Sequence, residues 1–164
     1  MIVRPIRDDE WPIVGWLWQD FRHDLAPIVN GFPYADGRYR HEWLDEHPQP
    51  DGAGYLAWRP HPHTGVEAPV GFALVRGLGS GRAVMQAFFV VPAARREGLG
   101  TQLAREVVTR HPGAWAIPFQ RDNVAAGEFW RRLADELWPG AWGETTEPVP
   151  TRPGAAPDHW IRGG

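Results

Sequence analysis

The chain of 164 residues contains no cysteine, which removes disulfides, thiolate zinc sites and cysteine nucleophiles together. Lysine is absent too, so all 17 basic residues are arginine. Without lysine there is no P-loop and no Schiff-base amine. Serine occurs once, at Ser80, and its setting Gly77-Leu78-Gly79-Ser80-Gly81 lacks the spacing of a nucleophile elbow. No apolar run approaches the ~20 residues that span a bilayer. Met1 leads directly into a polar-alternating segment, so neither a transmembrane helix nor a signal peptide is expected. An excess of one charge is missing as well. Seventeen basic against twenty acidic residues leave a net charge of −3, and no basic field points to nucleic acid or an anionic membrane. The expected setting is the cytoplasm.

What is present is a soluble composition, with 43% hydrophobic and 23% charged residues, at a length that suits one domain over 1–164. Arginine without lysine, beside 17 Pro and 19 Gly, reads as GC-rich coding rather than function. Ten tryptophans are read as core anchors and aromatic surfaces, not as an aromatic ligand cage. His61-x-His63 places two imidazoles in a proline loop without a third ligand. No metal site is expected.

The periodicity gives a β-α-(α)-β-β-β-α-β-α-(β-β) order. Residues 2–7 read as an edge strand, where Pro5 is tolerable. Asp8 or Asp9 would cap the next helix, with Pro12 in its first turn. Ile13, Leu17, Phe21 and Leu25, with Val14 and Trp18, form its apolar face, and Gly31-Phe32-Pro33 ends the pattern. A short second helix is predicted over 38–46. Strands over 55–58, 70–75 and 83–91 flank a Pro- and His-rich loop at 60–69 and a glycine turn at 77–81. They form an antiparallel meander. The 83–91 run, interrupted only by Gln86, suits a central strand covered on both faces. Leu99, Leu103 and Val107 begin a helix that stops at His111-Pro112-Gly113. A strand at 114–117 carries Pro118. Val124, Phe129, Leu133 and Leu137, with Trp130, make a last helix capped near Asp122 or Asn123. The tail from 139 is loose, with two late strands at 143–149 and 158–162.

Chemistry concentrates at 88–101, Phe-Phe-Val-Val-Pro-Ala-Ala-Arg-Arg-Glu-Gly-Leu-Gly-Thr. A buried strand ends, two arginines arrive, and glycines open a helix. A helix N-terminus offers unpaired N–H groups and about half a positive charge. Glycines let the backbone approach a phosphate, and Arg95 and Arg96 add charge at the rim. The chemistry suggested is a pyrophosphate across this loop. A dinucleotide fold would want a third glycine where Leu103 stands.

Arg95-x-x-Gly98-x-Gly100 after Val90-x-Pro92 resembles the acyl-CoA pyrophosphate loop of the GNAT N-acetyltransferase family. Downstream, Asn123-Val124-Ala125-Ala126-Gly127-Glu128-Phe129-Trp130 resembles that family's Asn-x-x-Ala-x-x-Phe-Tyr motif. The resemblance covers about 2–137 and is specific from 83. It implies an α/β domain, a mixed and largely antiparallel sheet flanked by helices. Strands four and five splay around the cofactor, and beside a splay Pro118 costs little. It further implies acetyl-CoA as cosubstrate. Phe88, Phe89 and Val90 would meet the pantetheine and the thioester, and Arg95, Arg96, Gly98, Gly100 and Thr101 the pyrophosphate. Asn123 and Trp130 would complete the cofactor site.

The sequence departs from the family at three places. Glu97 stands where a basic or amide residue is frequent. Trp130 replaces the family's Tyr acid, and Gln86 stands where a Glu is frequent. Neither indole nor amide is an acid or base near neutral pH. Asp20, Tyr34 and, by its place, Gln86 are the catalytic candidates, with His23, Asp24, Tyr39 and His159 beside them. The aromatic residues Trp16, Trp18, Phe21 and Tyr34 suggest a small or flat acceptor. The expected function is direct acetyl transfer to a primary amine, without a covalent intermediate. The partner is a small-molecule amine, with a homodimer compatible. Two alternatives differ in class: an acyl-CoA-binding or regulatory module that lost catalysis, and an interaction protein using a Trp-rich surface.

Overall fold

The computed structural model describes residues 1–41, 44, 49–149 and 154–164. The chain opens with strand β1 (Ile2–Pro5) and a 3-10 turn at Asp8–Glu10, and then enters helix α1 (Trp11–Val29). The predicted Asp8 or Asp9 cap does not form, because both residues lie within the 3-10 turn and α1 has no side-chain cap. Glu10 organises this corner instead. Its carboxylate is 2% exposed and accepts from Arg4 at 2.5 and 2.6 Å and from the Arg7 backbone N–H at 3.0 Å. Burying a carboxylate is tolerable only with such donors. The clamp fixes the entry of α1 relative to β1.

Strands β2 (Ala53–Pro60), β3 (Glu67–Arg76) and β4 (Arg82–Val90) form the expected antiparallel meander. The hairpin loop is shorter than the sequence suggests, because β3 already starts at Glu67. Pro69 is accommodated where the β2–β3 register shifts between Ala57 and Trp58, as a residue without an N–H requires. After helix α2 (Leu99–Arg110) come β5 (Ala114–Phe119), α3 (Val124–Leu137), β6 (Trp142–Glu147) and β7 (Asp158–Gly163). The seven strands run in the order β1-β2-β3-β4-β5-β7-β6. Both late strands join the sheet, with β7 inserted between β5 and β6.

Two apolar cores sandwich this sheet. On one face Val14, Leu17 and Trp18 of α1 pack on Leu56, Phe72, Leu74 and Phe89. On the other, Leu103 and Val107 of α2 and Trp130 and Leu133 of α3 pack on Val75, Trp115 and Ile161. Each fully buried aliphatic side chain contributes roughly 1.5–3 kcal/mol. Val124, assigned to the apolar stripe from its spacing, is 65% exposed. It opens α3 before the helix reaches the sheet. Of the predicted 38–46 helix, residues 38–41 are irregular, while 42, 43, 45 and 46 lie outside the described residues. Irregular backbone suits 38–41, since Tyr39 exchanges hydrogen bonds with the Gln19 side chain at 2.7 and 3.1 Å. Among the described residues no helix is long and apolar enough to cross a membrane.

The Arg4 hydrogen bonds hold the Glu10 carboxyl down to about 2, against its usual 4.5. A depressed folded value stabilises fully above the unfolded one, so this contribution is complete above pH ~4.5 and drains as pH falls toward ~2. Glu10→Gln should therefore cost about 3 kcal/mol at pH 7 and flatten the acid limb of stability. Urea midpoints measured between pH 3 and 7 check both statements.

Candidate active site

Strand β4 lies beside β5 in parallel, but only Arg82, Ala83 and Val84 pair, with Ala114, Trp115 and Ala116. Beyond that point the two strands part. Pro118 sits past the divergence, opposite Trp160 of β7, where its missing N–H takes nothing from a β4 ladder. From 85 onward the β5 side of β4 has no strand partner, so its amides stand open inside a sheet. The β3–β4 register also shifts here: Leu74 pairs with Ala87 and Val75 with Met85, leaving Gln86 as the extra residue of a bulge.

A cavity of about 680 Å³ occupies the wedge. It reaches from α1 on one face of the sheet to α3 on the other. All ten residues expected at the cofactor line it: Phe88, Phe89, Val90, Arg95, Arg96, Gly98, Gly100, Thr101, Asn123 and Trp130. Local chemistry explains how they converge. The chain leaves β4 through a 3-10 turn at Pro92–Ala94 and takes left-handed backbone at Arg96 (φ 65°) and Gly98 (φ 77°). These turns aim the start of α2 into the cavity. No side chain caps α2 and no acid lies in its first turn, so its leading N–H groups and positive dipole end face the opening. At Gly100 an added Cβ would sit 3.5 Å from the Phe129 ring and 3.8 Å from Val90, so the absence of a side chain leaves the mouth clear. Asn123 caps α3 by accepting from the Ala126 N–H at 3.2 Å, which fixes the start of the helix that presents Phe129 and Trp130. Their rings form an aromatic wall with Phe88, at 4.9 Å between Phe88 and Trp130 and 4.7 Å between Phe129 and Trp130.

Arginine 95 is not the free cation that its sequence position suggests. Its Nε donates to the Val90 carbonyl at 2.8 Å, and its Nη2 donates to Asp24 of α1 at 2.7 Å. It staples α1 to the end of β4. The cations left open on the lining are Arg96 and Arg132, both exposed. Neighbouring Arg131 is held by Glu144 at 2.7 and 2.8 Å, and that pairing keeps the Glu144 carboxyl at about 2. Glu97, the departure in the loop, turns away to Arg59 at 2.5 Å.

The other named residues scatter. Asp24 reaches the cavity; Asp20, His23, Tyr34, Tyr39 and His159 are not on its lining. Tyr39 meets His23 at 3.2 Å, and His159 bonds Glu144 and stacks on Phe119. Trp18 is buried and Trp16 is 76% exposed. Gln86 is not on the lining either, and its buried Oε1 has no hydrogen-bond partner. Sequence reasoning missed Leu25, Ile28, Ala125 and Arg132 on the lining. The i, i+4, i+7 spacing of Ala125, Phe129 and Arg132 was the available signal.

A model of the Acetyltransferase (GNAT) family matches residues 11–134. The chain belongs to the GNAT acetyltransferase family. No curated protein sequence matches it. Solved GNAT structures share the fold at low identity. Arabidopsis thaliana NAA60 in complex with acetyl-CoA is 15% identical over 98% of this chain and 96% of that one, with TM-score 0.64. The Escherichia coli ribosomal-protein-S18-alanine N-acetyltransferase is 12% identical over 98% and 91%, with TM-score 0.63. An aminoglycoside 6'-acetyltransferase type Ii is 19% identical over 99% and 96%, with TM-score 0.61. The protein is thus an acyltransferase of a family that uses acetyl-CoA as cosubstrate. The β4 bulge leaves Gln86 with its buried Oε1 unpaired. An unsatisfied buried acceptor costs about 1–3 kcal/mol, so Gln86→Leu should raise stability by about 1 kcal/mol. An unmoved or lowered urea midpoint would count against that.

Proposed function

We propose that this protein transfers the acetyl group of acetyl-CoA directly to a primary amine of a small molecule. The observation that carries the reading is the junction, in one cavity, of a cationic mouth with open N–H groups and an apolar trench along unpaired β4 edge. Acetyl-CoA supplies an acetyl thioester. The start of α2, with Arg96 and Arg132, would take the phosphates as helix N-terminus and guanidinium partners. The open edge of β4 at Phe88 and Phe89 would accept the pantetheine amides as a strand accepts a neighbour. A backbone N–H of that edge would polarise the thioester carbonyl. The amine nitrogen would attack the carbonyl carbon, the C–N bond forming as the C–S bond breaks. The amine's proton is lost to solvent, and the leaving sulfur ends as thiol. Since a thiol ionises near pH ~8.5, the thiolate can depart without an enzymic acid. Trp130, 5% exposed, would then act by packing against the arm. Phe21 on α1 gives the acceptor side an aromatic face, which suits a small ammonium better than an extended peptide.

A second reading, a CoA-binding module without turnover, is favoured by Gln86 and Trp130. Thiol release from acetyl-CoA with a panel of amines separates the two: turnover with any amine supports the enzyme, and tight binding without turnover supports the module.

Two results are expected of the cofactor site. Gly100→Val should weaken acetyl-CoA by about tenfold or more, or ~1.4 kcal/mol, while Gly100→Ala is tolerated, because only the larger side chain extends past Phe129 into the mouth. Calorimetry with intact far-UV dichroism reads this, and equal affinities for both variants would refute it. Removing Arg96 and Arg132 together should weaken binding and flatten its salt dependence, since exposed charges are screened over about 8–10 Å. Arg95→Ala should instead show mainly as lost stability, because its guanidinium already serves Asp24 and Val90. A salt dependence that follows Arg95 alone would reverse that assignment.

A further inference from the structure

The apolar end of the cavity carries information about the acyl group. Along α1, Asp24 grips Arg95 at the cationic mouth, and Phe21, about one turn earlier, stands over Phe89 at 6.0 Å between ring centroids. From α1 the lining takes Phe21, Asp24, Leu25 and Ile28, and Phe21 is the one of these that meets the Phe89 ring of β4. The Phe21 ring belongs to a four-membered aromatic cluster. It lies 5.3 Å from Trp18 and 5.9 Å, edge to face, from Phe72. Its three neighbours are closed to solvent: Phe72 is 0%, Phe89 3% and Trp18 7% exposed. Trp18 is fixed in turn by donating from Nε1 to the Arg40 carbonyl at 2.8 Å. Phe21 is the half-buried member, and it lines the cavity beside the more deeply set Phe89.

A ring packed on three sides against buried rings cannot swing away without opening a hole, because interiors are packed at crystal-like density. We propose that Phe21 fixes the acyl-chain length, admitting acetyl and excluding chains of four carbons or more. This rests on the acetyl-CoA reading of the cavity and goes beyond it by naming the residue that turns longer acyl chains away. With the phosphates at the α2 start and the arm on the β4 edge, the acyl carbons beyond the carbonyl would run toward the Phe21–Phe89 floor. One methyl fits against a flat ring. Each further methylene meets the ring itself, and a single methylene against a shaped pocket is worth about 10–200-fold.

The test needs no acceptor amine. Affinities of CoA, acetyl-CoA, butyryl-CoA and hexanoyl-CoA are measured by calorimetry for the wild-type chain, Phe21→Ala and Phe21→Leu. The readout is the acetyl-to-hexanoyl affinity ratio, in which any uniform weakening cancels. The wild type should favour acetyl-CoA by about tenfold or more. Phe21→Ala should bring the two within about threefold, with Phe21→Leu between. Should Phe21→Ala not fold, Phe21→Leu carries the test by the direction of its ratio. A ratio unchanged by either variant, or a wild type indifferent to chain length, overturns the role of Phe21 and leaves the acetyl-CoA reading standing. A wild type that binds no CoA species overturns both.

Discussion

Parallel pairing between β4 and β5 stops at Val84 and Ala116, and the site exists because of that divergence. A sheet interior normally spends every N–H and carbonyl on its ladder. Here one edge of β4 is released while the flanking strands remain paired: β3 continues along β4 to Val90, and β7 continues along β5 to Phe119. The wedge is thus held open from both sides. Two sequence features make it affordable: the register shift at Gln86, which bends β4, and Pro118, which removes a donor from β5 beyond the branch. Placing β7 between β5 and β6 gives β5 a second neighbour, so losing β4 does not leave it unpaired.

Charge is arranged around the wedge with equal economy. All basic residues are arginine, and a guanidinium can satisfy several acceptors at once. Arg95 does this, joining the Val90 carbonyl to Asp24, and so ties α1 on one face to the strand end that borders the cavity. Arg131 does the same for α3 and β6 through Glu144. Because these two cations are already paired, the open charges at the cavity are Arg96 and Arg132, beside the α2 start. Identical residue types in adjacent positions, 95 and 96 or 131 and 132, therefore perform different tasks.

Much of this was legible in the chain itself. The meander, the strand–loop–helix at 88–101 and the α3 stripe follow from period and punctuation, because alternation and 3.6-residue repeats report which face is buried. At the N-terminal cap Asp8 and Asp9 have the right chemistry, but burial selects Glu10, whose partner Arg4 comes from β1 across a corner. Proline normally ends a strand, so the sequence predicts a longer loop at 60–69, and only the bulge beside Pro69 reveals the exception. Val124 fits the spacing of the stripe but precedes the point where α3 meets the sheet.

By itself the sequence determined what cannot be there, namely thiol, lysine and serine-elbow chemistry, and where the glycine-rich loop that opens α2 lies, since glycine placement and a helix start are local properties. It also determined which ten residues come to line one cavity, through motif spacing along a strand end and two helices. Only the tertiary structure decided which charges are free. The sequence predicts a phosphate partner in both Arg95 and Arg96, and what sets them apart is a carboxylate 71 residues away on α1. It also decided that Phe21, one aromatic among several on the first helix, is the ring that faces the cavity while Trp18 is buried beside it and Trp16 points to solvent. Long-range neighbours set burial and pairing, and no local pattern encodes a neighbour that the fold alone brings into reach.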